Sequence, residues 1–346
     1  MNTQEKYQAA VAEYMRRTKF KGVSEKTIAN YDTALRLFGN FLANYDDNAD
    51  LYEVVEAWRE AMLMDGKAKS TVKQYLVSLN IFFGAATKRS FPAALRFAEN
   101  PVDPDNYPIV KKKPYDNLLD DSDVMKLWKN EPPTQNTVRT WARNYAIICT
   151  ILGTGIRNDE LRSLTLNDVS WPEETITIRS GKGDKFRIVD APQIVLESLT
   201  QYLNSGLRPA YLSDDDYLFG TTSAHEYGNT QTIANAEKWH KMSGNALSQL
   251  IERHVRNVCG NPNLKIRSHD VRHLFARIDL NANGNISELQ SALGHSSPDI
   301  TQIYAGRIAP RRSRESARAV IAARDDAAEE LKKKNSAEQR IIAFPA

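Results

Sequence analysis

Four groupings in this chain carry residue types that could do chemistry. Arg157 and Glu160 stand in TGIRNDEL (154–161), and Lys182 lies in the turn of SGKGDKFR (180–187). His269, Arg272 and His273 share SHDVRHLFA (268–276), and Leu-Gly-His295 is followed nine residues later by Tyr304 in TQIYAG. Each has a plainer structural reading. Arg157 and Glu160 at i and i+3 could be an ion pair on a helix. A lysine between two glycines is ordinarily an exposed turn residue. His269 and His273 at i and i+4 could hold a metal, but no glutamate separates them and no cysteine cluster accompanies them. Tyr304 could be packed core. Arg157 is the hardest to place plainly, because it directly follows the apolar run AIICTILG. A guanidinium there is costly unless an anion meets it, from within the chain or from outside. Taken together the groupings suit a phosphodiester under attack. Arginine forks match the charged non-bridging oxygens of a pentacoordinate transition state. A phenol, a poor nucleophile at its ordinary pKa of about 10, needs cations or a base beside it. Histidine can be that base near neutral pH, and a lysine can protonate the leaving oxygen.

The elements that would position these residues are mostly helical. Residues 5–17 read as one helix. Segment 24–42 opens on a Ser24 cap and repeats Ile28, Tyr31, Leu35, Phe38 and Leu42 at three- and four-residue steps. Segment 50–64 does the same with Val54, Val55, Trp58 and Met62. Segment 70–86, led by Ser70, continues with Val72, Tyr75, Leu76, Leu79, Phe82 and Phe83. These predict a helical bundle over the first hundred residues. ENPVDPDNYPIVKKKPYDN (99–117) has four prolines and a lysine triplet, which predicts an extended linker and a domain boundary. Beyond it, 121–130 and 138–152 read as helices. In 174–192 the period changes: Ile176 and Ile178, then Phe186 and Ile188, flank a Ser-Gly-Lys-Gly-Asp turn, the pattern of a hairpin. From about 194 onward the pattern is again helical.

The chain has 346 residues, enough for two domains with cores of their own. No apolar run approaches the ~20 residues of a membrane span, and the polar start lacks a signal peptide's apolar stretch. Cys149 and Cys259 have no metal-ligand spacing and fit a reducing cytoplasm. A net charge of +3 points only weakly to nucleic acid. Basic clusters at 16–17, 88–89, 111–113 and 307–314 say more, although each alone reads as solvated surface.

From near residue 5 to about residue 310 the chain resembles the tyrosine recombinase (phage integrase) family. TGIRNDEL matches its first arginine box, SGKGDKFR its hairpin lysine, SHDVRHLFA its His-x-x-Arg box, LGHSSPDIT its Leu-Gly-His and TQIYAG its nucleophile motif. The intervals of 23 from Arg272 to His295 and 9 onward to Tyr304 fit as well. The resemblance implies a mainly α protein. It has an N-terminal four-helix core-binding (SAM-like) domain over 1–105 and a linker over 106–117. A mixed, mostly helical catalytic domain with a small antiparallel β-sheet follows over 118–346, ending in a helical tail at about 313–334. It also implies a site-specific DNA recombinase or integrase working through a covalent 3′-phosphotyrosyl intermediate, without metal, ATP or other cofactor. Arg157 and Arg272 would clamp the scissile phosphate and Tyr304 would attack it. Lys182 would be the general acid, with Lys185 on the same hairpin as the alternative. His269 and His295 would assist proton transfer and hold the phosphate, Glu160 would orient the site, and His273 would support it. Lys111, Lys112 and Lys113 are candidate DNA contacts. The implied partners are double-stranded DNA and three further copies of the chain, a homotetramer on two sites, with no membrane. The tail presents Ala319, Ile321, Ala322 and Ala328 as a modest apolar face with Val320 and Leu331 beside it, and is expected to dock on the adjacent subunit, with a helix folded back on its own domain as the alternative. Relaxation of DNA in the manner of a type IB topoisomerase, or a silent DNA-binding accessory role, are the alternatives.

Overall fold

The computed structural model describes residues 2–110, 119–129, 138–179, 186–222, 239–294 and 311–342. The chain divides into two compact units, Met1–Pro114 and Tyr115–Ala346.

Four helices make the first unit: α1 (Thr3–Phe20), α2 (Glu25–Leu42), α3 (Leu51–Met64) and α4 (Lys69–Ala86). Asn2 caps α1 by accepting from the Glu5 N–H at 2.7 Å, and the Glu5 carboxylate accepts the Asn2 N–H at 3.0 Å. Ser24 caps α2 and Asp50 caps α3. The fourth start differs from expectation. Ala68 stands at the cap without a side-chain hydrogen bond, and Ser70 lies inside the first turn. The apolar stripes meet around Tyr7, whose hydroxyl donates to the Leu35 carbonyl at 2.9 Å. Phe38 and Phe82 both meet the Tyr7 ring edge-on at 5.4 Å. The proline-rich stretch is not extended throughout: Pro104–Asn106 form a short 3-10 turn, and Pro101, Val102 and Pro108 are buried. Val102 joins this unit's core, and Asn106 donates to the Tyr52 hydroxyl at 3.1 Å. Lys111, Lys112 and Lys113 lie outside the described residues.

The second unit is built on α6 (Val138–Thr154), with Ile147, Ile148 and Ile151 fully buried. Around it lie α5 (Asp121–Trp128), α7 (Asn158–Ser163), α8 (Gln193–Asn204), α9 (Gly244–Cys259), α10 (Ser268–Asn283) and α11 (Ile286–Leu293). Three antiparallel strands form one sheet in the order β1 (Val169–Ser170), β2 (Thr175–Ile178), β3 (Arg187–Asp190). Its register corrects the expected hairpin face. Ile176 pairs with Val189 and Ile178 with Arg187, so Val189 and Arg187 share the inner face. Phe186 and Ile188 point outward, 64% and 56% exposed. A second sheet, β4 (Gly220–Thr222) with β5 (Trp239–Lys241), was not foreseen. Among the described residues no helix is long and apolar enough to cross a membrane.

The tail forms one 32-residue helix, α12 (Arg311–Ile342), packed against α5, α8 and α10 of its own unit. The buried face is Ala317, Val320, Ala327, Ala328 and Leu331, with Asn335 beside it, whereas Ala319 and Ala322 are exposed. Asn335 donates to the Glu197 carbonyl at 3.1 Å and its carboxylate at 2.8 Å, and Ser316 hydrogen-bonds Asp121. The helix thus takes the folded-back arrangement, with its apolar face covered by its own unit. Burying Val320 and Leu331 contributes roughly 1.5–3 kcal/mol each.

Candidate active site

Three arginines and one glutamate converge where α6, α7, β3, α10 and α11 meet. The chain leaves α6 through Gly155, whose φ of 65° is open to glycine at little cost. A Cβ there would come within 2.3 Å of the Phe275 ring on α10, so close packing also demands glycine. Arg157 follows as the residue capping α7, and Glu160 sits at that helix's third position. The Glu160 carboxylate accepts the Arg157 backbone N–H at 2.7 Å and its Nη1 at 2.8 Å. The pair expected from the i, i+3 spacing therefore exists.

It is not a closed pair. Arg187 on β3 donates from Nη1 and Nη2 to the two Glu160 oxygens, at 2.8 and 2.7 Å, as a fork on the carboxylate. The Glu160 side chain is 2% exposed. Burial alone would raise its pKa. The Arg187 hydrogen bonds, then the Arg157 N–H, the Arg187 charge and the Arg157 side-chain hydrogen bond, outweigh that and bring it to about 2. Glu160 is thus an anion at any pH near neutrality.

The end of α11 gathers the same three guanidinium groups. The Ala292 carbonyl accepts from Arg187 Nε at 3.1 Å, the Leu293 carbonyl from Arg272 Nη2 at 2.7 Å, and the Gly294 carbonyl from Arg157 Nη2 at 2.8 Å. The last carbonyls of a helix have no partner within it and form the negative end of its dipole, so cations fit there. Arg272, 3% exposed, also donates from Nη1 to the Gly155 carbonyl at 2.6 Å. Gly294, at φ 60°, closes α11, and a Cβ there would lie 3.1 Å from the Arg187 guanidinium. Glycine at 294 therefore lets the backbone pass close to the Arg187 guanidinium. Three cations against one anion leave these four side chains with two net positive charges.

On α10, His269 and His273 meet edge to face with ring centroids 4.3 Å apart. His273 is buried, while His269 reaches the surface. Partial desolvation, then the Arg272 cation, hold the His269 pKa below its ordinary value, with Asp270 opposing and Arg267 and Arg157 adding to the drop. The shift favours the neutral imidazole, which can accept a proton.

The structure brings together Arg157, Glu160, His269, Arg272 and His273. Lys182, Lys185, His295 and Tyr304 lie outside the described residues. In the chain, Lys185 is two residues before Arg187, and His295 directly follows Gly294. Arg187 was missed in the sequence. Its signal is a cation at an inward strand position opposite Ile178, visible only once the register is known. On the other arm of the hairpin Arg179 meets the buried Asp168 at 2.5 Å.

Residues 119–309 match the model of the phage integrase family. Tyrosine recombinase XerC of Thermodesulfovibrio yellowstonii is 28% identical over 292 residues, covering 82% of this chain and 86% of the relative. Tyrosine recombinase XerA of Pyrococcus furiosus is 25% identical over 274 residues, covering 73% and 88%. Among solved structures, XerH bound to a palindromic difH substrate in a post-cleavage complex aligns with a TM-score of 0.63 at 21% identity, covering 86% of this chain and 80% of the other. A lambda integrase tetramer bound to a Holliday junction aligns at 0.60 and 14% identity, covering 86% and 76%. These likenesses to solved structures establish the fold.

Proposed function

The chain belongs to the phage integrase family, and from that footing we propose that it is a site-specific recombinase that cuts and rejoins duplex DNA through a 3′-phosphotyrosyl intermediate. The observation that carries the reading is the joint seating of Arg157 and Arg272 on neighbouring carbonyls of one helix end. Held there, two planar cations can face one phosphate, and neither can rotate away without giving up a hydrogen bond.

In this mechanism Arg157 and Arg272 hold the non-bridging oxygens of the scissile phosphate. The Tyr304 hydroxyl oxygen attacks phosphorus, forming a P–O bond to the phenol as the bond to the 5′-oxygen breaks. His269, its neutral form favoured by its setting, assists removal of the phenol proton, and His295 adds a donor to the phosphate. Lys182, or Lys185 beside it, gives a proton to the departing 5′-oxygen. His273 packs against His269 and steadies it. Rejoining runs the same steps backward with a new 5′-hydroxyl. The ester conserves the energy of the cut strand, so neither ATP nor metal is needed. Two duplexes cut on both strands require four active sites, and the proposed assembly is a homotetramer like that of lambda integrase. Lys111, Lys112 and Lys113 are proposed as phosphate contacts.

The test uses the protein's own target. DNA bound to a Tyr304→Phe variant in its host is recovered and sequenced, then built into a nicked suicide substrate. The native protein should accumulate a covalent adduct on the 3′-phosphate end of the broken strand, and Tyr304→Phe should bind but form none. An adduct of equal yield from the phenylalanine variant contradicts the assignment.

A further inference from the structure

Arg157 faces a contradiction as a phosphate clamp. It is 2.8 Å from a buried carboxylate, and a cation paired one to one with an anion has little net attraction left for a phosphodiester. Arg187 changes that balance. It takes both Glu160 oxygens in a fork, its side chain only 12% exposed, while Arg157 contributes one guanidinium N–H to the same carboxylate. With Arg187 present, three arginines and one glutamate sum to two positive charges. A phosphodiester brings one negative charge, and its pentacoordinate transition state carries two. The cluster matches the transition state with Arg187 and falls one charge short without it.

We propose that Arg187 is a positioning residue for strand cleavage: it compensates Glu160, so that Arg157 keeps its full charge toward the scissile phosphate. This deepens the recombinase reading above and rests on it. The third carbonyl supports the assignment. Arg187 Nε on Ala292 completes the run of three successive carbonyls that seat Arg187, Arg272 and Arg157, so strand and clamp share one helix end. Glu160 then serves as a spacer that fixes two arginines relative to each other, without neutralising the one that meets substrate.

The charge count separates this role from a merely structural tie. Arg187→Gln lowers the cluster to one positive charge, and single-turnover cleavage should fall about 10–100-fold, the range seen when a partner that orients a functional group is lost. Adding Glu160→Gln restores two positive charges, so the double variant should recover much of that loss and cleave faster than Arg187→Gln alone. A methylphosphonate at the scissile position, which lacks one negative charge, should shrink the gap between Arg187→Gln and the native protein. Half-site binding by fluorescence anisotropy and thermal melting are followed in parallel. Native-rate cleavage by Arg187→Gln, or a double variant as slow as the product of the two single defects, overturns the proposal. If the glutamine variants do not fold, Arg187→Lys decides, since it keeps the charge and loses the fork. Cleavage within about tenfold of native supports charge compensation, and a loss as deep as that of Arg157→Ala overturns it. Should the native protein form no Tyr304-dependent adduct, the recombinase reading itself fails. Should it form one while Arg187→Gln cleaves normally, only the present inference fails.

Discussion

At the scale of single residues, the site works by holding cations where they would otherwise repel. Arg157, Arg187 and Arg272 share one helix end because its carbonyls and Glu160 offset their mutual repulsion. On the proposed roles, removal of either arginine side chain, Arg157→Ala or Arg272→Ala, should lower single-turnover cleavage by roughly 10²–10³, the loss typical of one transition-state donor. Lysine at either place should recover only part, because a point charge cannot reproduce the fork. Native-rate cleavage by a lysine variant would contradict the clamp. His269 gives a second expectation. Its pKa lies below the ordinary 6.5, so a base at this position stays competent below that pH. The acidic limb of the cleavage profile should fall below pH 6.5 and be lost in His269→Asn. A limb above 6.5 would mean that another group is the base.

At the scale of elements, legibility in the sequence followed periodicity. The stripes through Leu35 and Phe38, Val54 and Trp58, and Leu79 and Phe82 are one-sided enough to give three helices directly, and all six side chains are buried. Arg157 was legible because a cation directly after an apolar run is costly and needs a reason, Glu160 because it stands three residues on, and Arg272 through the resemblance carried by SHDVRHLFA. Arg187 was not, since two alternations in RIVD are possible and only pairing with β2 chooses between them. The tail helix was legible as a helix but not as to its face. Alanine is compatible with burial or exposure, so Ala319 and Ala322 carried no signal against Ala317 and Ala327. Its docking predicts that Leu331→Ala destabilises the protein by roughly 2–4 kcal/mol, as for other buried leucines. Chemical denaturation would show it as a lower midpoint at unchanged slope. An Ala319→Ser change, on the exposed side, should leave the midpoint within experimental scatter. An unaffected midpoint in Leu331→Ala would mean that the helix does not dock on its own unit in solution.

At the scale of the whole molecule, the chain joins a helical unit rich in aromatic contacts to a second unit that carries the charged site. Buried titratable groups in the second unit make its stability depend on pH. His254 on α9 has its pKa pushed down to about 4 by burial, against 6.5 when exposed. Between those values the unfolded chain binds a proton that the folded chain does not, so stability falls as pH drops from 6.5 toward 4. The loss from this group is on the order of 2–4 kcal/mol, and a His254→Gln variant should show a flatter dependence over that window. An equally steep dependence in the variant would place the titration elsewhere. The central claim, that this chain cuts DNA by covalent attachment through Tyr304, is tested most directly by mass spectrometry of the trapped protein–DNA adduct after nuclease and protease digestion. The account predicts a nucleotide linked through its 3′-phosphate to the Tyr304 hydroxyl in the peptide containing TQIYAG. Attachment at any other residue, or through a 5′-phosphate, would contradict it.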